Sequence, residues 1–126
     1  MQSAAQAYKS VSRQTSSPRE LEASLLLQAA ARLQAVQENW DSDGPGRGKA
    51  KLDDALLYNR KLWSVFVTDM ADASHPMPRE LRQNFVNIGL FVMNHTVAVM
   101  SNPQPERLGS LININREIAA GLLGRA

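Results

Sequence analysis

Between Pro78 and Ser101 the chain carries its most apolar stretch, and this stretch most constrains what it can fold into. Leu81, Phe85, Ile88, Val92, His95 and Val99 recur at alternating spacings of three and four, the period of one helix face. Val86, Leu90, Phe91, Met93, Val97 and Met100 occupy the flanks, so little of the circumference past Asn87 is polar. A helix that is apolar on nearly all sides is expected to be buried on nearly all sides. Gly89 costs about 1 kcal/mol relative to alanine inside a helix, which predicts that another helix backbone crosses closely there. If Phe91 is central, truncating it should cost roughly 3–5 kcal/mol. The run Ile88–Met100 is too short for a membrane span and is interrupted by Asn94 and His95.

The remaining elements read as partners for that helix. Ser17-Pro18-Arg19-Glu20 is a helix start, with a capping serine, a proline at the first helical position and a glutamate completing a capping box. Leu21, Leu25, Leu26, Ala29, Leu33, Val36 and Trp40 then form one apolar stripe over Pro18–Trp40. Asp41–Gly48 holds three glycines and a proline and predicts a linker. A second helix is expected from about Lys51 to Ala73, with Leu52, Leu56, Asn59, Trp63, Phe66 and Met70 on its core face. A fourth, about Pro105–Leu123, carries Leu108, Leu111, Ile112, Ile114, Ile118 and Leu122. The expected fold is therefore all-α, a small helical bundle of about four helices in one domain over residues 17–126. Residues 1–16, small and polar apart from Tyr8 and Val11, are expected to form a loose N-terminal arm, with a helical turn or two around Ala4–Val11.

Catalytic and metal chemistry find little support. No cysteine is present, and the two histidines, His75 and His95, lie in different elements without a ligand partner at helical spacing. His75 reads as a loop residue and His95 as a hydrogen-bonded histidine at the edge of the core. Gly44-Pro45-Gly46-Arg47-Gly48 lacks both the preceding strand and the Gly-Lys-Ser/Thr ending of a phosphate loop. No catalytic, cofactor-binding or metal-ligating residue is assigned, no cofactor is expected, and the chain is read as a non-enzyme. The first twenty residues lack the continuous apolar core of a secretory signal. Together with the absent cysteines, this sets a cytoplasmic expectation, with no membrane partner.

A net charge of +2 gives no broad field for phosphates. Arg47, Lys49, Lys51, Arg60 and Lys61 nonetheless form a local basic cluster, the basis of an RNA-binding alternative that lacks stacking aromatics beside it. Asn59-Arg60 and Asn113-x-Asn115-Arg116 carry two readings. Asparagine among apolar neighbours needs hydrogen-bond partners, so these positions either fix the register of the helices or capture a partner's backbone or carboxylates. Register is the favoured one.

Three segments resemble one family. They are Leu57-Tyr58-Asn59-Arg60-Lys61-Leu62-Trp63-Ser64-Val65-Phe66, the run Pro78–Val92 with Leu81-Arg82-Gln83-Asn84 and Ile88-Gly89, and Leu111-Ile112-Asn113-Ile114-Asn115-Arg116-Glu117-Ile118 continuing to Leu122. The pattern is similar to FlaF, the flagellar biosynthesis regulators of alphaproteobacteria. That resemblance implies a cytoplasmic helical protein acting positively on flagellin synthesis and secretion, as an export chaperone for the disordered termini of flagellin. It also implies FlbT, or flagellin messenger RNA, as an alternative contact. A homodimer, in which the exposed part of the apolar helix meets its copy, is a further alternative that the residues themselves offer. The partner-binding candidates are Tyr58, Asn59, Arg60, Trp63, Leu90, Met93, Val97, Asn113, Asn115 and Arg116. The flanks at Leu90, Met93 and Val97 are where a partner is expected, with Phe85, Ile88 and Val92 in the core.

Overall fold

The computed structural model describes residues 17–124, and all the regular structure among them is helical. Helix α1 runs over Pro18–Glu38, α2 over Trp40–Ala71, α3 over Arg79–Ser101 and α4 over Gly109–Leu122, with a 3-10 turn at Pro105–Leu108 leading into α4. The expected N-terminal arm lies outside the described residues.

Helix α1 starts as its sequence dictates. Ser17 Oγ accepts the Glu20 N–H at 3.1 Å, and Pro18 takes a first-turn position where its missing donor costs nothing. Leu21, Leu25, Leu26, Ala29, Leu33 and Val36 are all buried. The helix ends at Glu38, and Asn39 turns the chain while its side-chain amide donates to the Ala35 carbonyl at 2.8 Å.

The expected linker is a correction. Helical structure resumes at Trp40 and is broken only at Gly44, whose φ of 76° and ψ of 171° bend the path. Positive φ is strained for any residue with a Cβ, so glycine is required at that one point. Pro45, immediately after the break, has its φ preset for a first turn. Gly46 and Gly48 therefore lie within α2, some residues before the expected start at Lys51. Lys51 Nζ reaches back to Asp43 Oδ1 at 3.0 Å, and Lys49 pairs with Asp53 at 3.1 Å, tying the segment together.

The helices alternate up and down, but they do not close into a symmetric bundle. Helix α1 packs against both α2 and α4, whereas α3 packs chiefly against α2. The central stripe of α3 buries Phe85, Gly89, Val92, Thr96 and Val99. Its flanks stay open: Leu90 is 54%, Phe91 49% and Val97 57% exposed. The expectation of a helix buried on nearly every side is thus overturned, because only one of its apolar stripes meets a partner. Phe91 is half exposed, so its truncation should cost about 1 kcal/mol rather than the central-core value. Of the expected core positions, Phe85 and Val92 are buried and Ile88 is half-buried.

The close crossing predicted at Gly89 is real, and side chains make it. A Cβ at Gly89 would overlap Val67 Cγ2 and stand 3.4 Å from Trp63 Cε3. Valine is stiff about χ1, so Val67 cannot turn aside cheaply. Around this point Trp63, Phe66 and Phe85 form a cluster with ring centroids 5.3–6.1 Å apart, two of the pairs edge-to-face.

Both connections flanking α3 are fixed by arginine. Arg82 donates through Nη1 to the carbonyls of Met70 and Asp72, and through Nε to that of Met77, each at 3.1 Å. Arg107 Nη1 donates to Ala98 O at 2.9 Å and Asn102 O at 3.2 Å. Each guanidinium adds side-chain donors to carbonyls at the end of the preceding helix and in the connection after it, two of which, Asp72 O and Ala98 O, also accept a backbone N–H. His95 joins the second clamp. Its Nε2 lies 2.7 Å from the Arg107 carbonyl, which can only accept, so His95 is the donor there; Ser110 Oγ is 3.0 Å from the same nitrogen.

Two glycines of similar helical setting should therefore respond oppositely. Gly89→Ala is expected to lower stability by about 1–3 kcal/mol through overpacking against Val67. Gly46→Ala, where nothing lies within 4 Å of the new Cβ, is expected to raise it by about 0.5–1 kcal/mol. Urea unfolding of the full chain monitored by circular dichroism reads both signs.

Candidate functional site

Four of the residues expected to bind a partner are buried instead, and three of them, Asn59, Trp63 and Asn115, form a hydrogen-bonded network. Asn115 of α4 is fully buried. Its Oδ1 accepts the Trp63 indole N–H at 2.9 Å, and its Nδ2 donates to Asn59 Oδ1 at 2.7 Å and to the Leu26 carbonyl at 3.3 Å. One asparagine thus binds both α1 and α2. Tyr58 is also buried, beneath Arg32, whose guanidinium carbon sits 4.1 Å above the ring. Burial raises the Tyr58 hydroxyl above the ordinary tyrosine range, with Arg32 opposing. Tyr58, Asn59, Trp63 and Asn115 are buried, and the two asparagines bond to each other between helices.

The other candidates are spread over separate faces. Arg60 is exposed on α2, and Asn113 is exposed on α4. Arg116 points away from α3, its Nη2 hydrogen-bonded to Gln34 Oε1 of α1. On α3, Leu90 and Val97 are exposed and Met93 is half-buried. These three belong to a stripe, Val86, Leu90, Met93, Val97 and Met100, whose spacing of four and three is that of a coiled-coil seam. Leu90, Val97 and Met100 on it are exposed.

A second apolar surface was not legible in the sequence. Beyond the His95–Ser110 contact, α3 and α4 leave a groove of about 320 Å³, walled by Leu81, Phe85 and Ile88 on one side and Ile118 and Leu122 on the other. Arg19, at the start of α1, and Glu117 lie on its rim. Ile118 and Leu122 read as core because they continue the apolar period of α4. Nothing local says that α3 would fail to cover them.

A small electrostatic cluster stands beside this end of the fold. Burial raises the Glu22 carboxyl above the ordinary carboxylate range, and the charge of Asp69 adds to the effect, while His75 and Arg19 oppose it. His75 Nδ1 accepts the Met77 N–H at 3.1 Å, leaving Nε2 to face Asp69 Oδ2 at 3.3 Å. Asp72 is held below the usual range by the backbone N–H and hydroxyl of Ser74. These contacts order the α2–α3 turn. Among the described residues, no group of three or more metal-ligating side chains assembles, and no helix is long and apolar enough to cross a membrane.

The basic cluster loses force in three dimensions. Lys49 and Lys51 are engaged by Asp53 and Asp43, so two of its five charges are already paired.

The fold and its surfaces define a small all-helical protein that exposes apolar faces along both flanks of one well-anchored helix. The chain belongs to the FlaF family, whose model, described as flagellar protein FlaF, matches residues 4–122. That is a family of flagellar proteins and not of enzymes. No curated protein and no solved structure shows significant similarity to the chain.

Two outcomes follow from the polar groups. Asn115→Ala strands the Trp63 N–H and the Asn59 amide in the core, and is expected to cost about 2–4 kcal/mol in urea unfolding. For Glu22, the folded chain keeps a proton that the unfolded chain has released, so its contribution is most favourable in acid and is lost as pH rises through the raised value. Glu22→Gln should therefore raise the unfolding temperature at pH 7, with the gain over the parent shrinking toward pH 4.

Proposed function

We propose that this FlaF-family chain is a cytoplasmic, non-catalytic binding protein that holds a terminal segment of flagellin before export. The observation that carries the reading is the stripe of α3 on which Leu90, Val97 and Met100 stand exposed. An amphipathic helix placed along Val86, Leu90, Met93, Val97 and Met100 would find the same four-three spacing that α2 already uses on the neighbouring stripe. Contiguous exposed apolar surface on a soluble domain is where a partner binds. A client that folds on docking spends part of its interaction energy on ordering, which keeps the complex reversible and suits handover to an export apparatus. Action on flagellin messenger RNA has less support, given the paired lysines.

Purified protein titrated with flagellin and with peptides from its two termini tests this by fluorescence anisotropy. One terminal segment is expected to bind at micromolar concentration or better. Leu90→Asp with Val97→Asp should weaken it at least tenfold while leaving the unfolding temperature nearly unchanged, since both side chains are more than half exposed. Failure of every terminal segment to bind, or full binding by the double variant, overturns the proposal.

A further inference from the structure

The groove between α3 and α4 is a different surface from the stripe assigned to flagellin. Leu81, Ile88 and His95 lie on one side of the α2-facing stripe of α3, and Leu90 and Val97 lie on the other. The groove opens where α1 begins, because Arg19 stands on its rim. Ser17 therefore delivers the preceding sixteen residues to its mouth. The family match begins at residue 4 rather than at the start of α1, so this stretch belongs to the pattern of the domain and is not an unrelated extension.

The stretch has the right chemistry and length. Ala4, Ala7, Tyr8 and Val11 fall at i, i+3, i+4 and i+7, one face of two helical turns. As a helix, residues 4–11 would span about 11 Å, matching the roughly 11 Å of α3 between Leu81 and Ile88. Residues 12–16, extended, reach about 17 Å, enough to turn the segment back across the rim. Residues 1–16 carry Lys9 and Arg13 and no acidic residue. The acidic group on the rim is Glu117, which takes part in none of the ion pairs among the described residues. Arg19, the cation on the rim, already faces Glu22.

We propose that residues 4–11 dock in this groove of their own chain, with Tyr8 between the walls of α3 and α4 and the Lys9–Arg13 side toward Glu117. The arm then supplies the packing that α3 and α4 do not give each other. This does not rest on the flagellin reading, and its test contains no flagellin.

The chain has no cysteine, so Ser12→Cys carries a single nitroxide label in the otherwise intact full-length protein. Methyl spectra should show the Leu81, Ile88, Ile118 and Leu122 signals broadened beyond detection and those of Leu90 and Val97 retained. Adding Tyr8→Ser to the labelled chain should restore the groove signals. Unlabelled-isotope chains bearing the nitroxide, mixed with isotope-labelled chains without it, should produce no broadening. Intact groove signals in the first sample overturn the proposal. So does broadening that persists with Tyr8→Ser, and so does broadening in the mixed sample, which would assign the groove to the arm of a second copy.

Discussion

The Trp63 indole is the joint on which the rest of the structure turns. Its N–H is bound by Asn115 of α4, its ring packs on Phe85 of α3, and it sits on α2 beside the Asn59 that Asn115 also grips. The polar edge thereby belongs to a buried hydrogen-bond network joining α1, α2 and α4, and the apolar face belongs to the aromatic contact that holds α3. A phenylalanine there would keep the second role and lose the first. The network is specific because each buried polar group tolerates few alternative alignments. The apolar contact is specific because Gly89 lets the α3 backbone approach the ring and Val67 leaves no room for more.

Helix α3 consequently has an unusual position. It rests chiefly on one neighbour, and the Arg82 and Arg107 clamps fix the chain at either end of it. Exposed apolar side chains on a frayed helix would invite aggregation, whereas on a held helix they present a fixed pattern. That is what a recognition surface requires, since little ordering cost then falls on the protein side of a complex. The two open flanks suit different occupants: the Leu90–Val97 side is a straight seam, and the Leu81–Ile88 side is one wall of a groove.

Asn59 and Asn115 show how readily a buried polar pair resembles a recognition motif. In one dimension, asparagine and arginine framed by apolar residues fits either role. In the fold the asparagines turn inward and bond to each other, while Arg60 and Arg116, the adjacent residues, turn out. The glycine-rich segment after α1 was misread for a comparable reason. Only Gly44 uses the freedom that glycine confers, and the neighbouring Gly46 and Gly48 adopt ordinary helix.

The sequence by itself determined the helices, most of their ends and the inner face of α1, because spacing and caps are local and the period of 3.6 is written in the residues. It also determined that α3 would carry an apolar face through Leu81, Phe85, Ile88 and Val92, with apolar flanks that include Leu90 and Val97. Only the tertiary structure decided which stripe would be buried. That choice depends on where Trp63, Asn115 and Gly89 meet in space, and residues so far apart in the chain leave no periodic trace of meeting. The same decision held α3 off α4 beyond the His95–Ser110 contact, opened the groove and turned what looked like a central core helix into an exposed face of the protein.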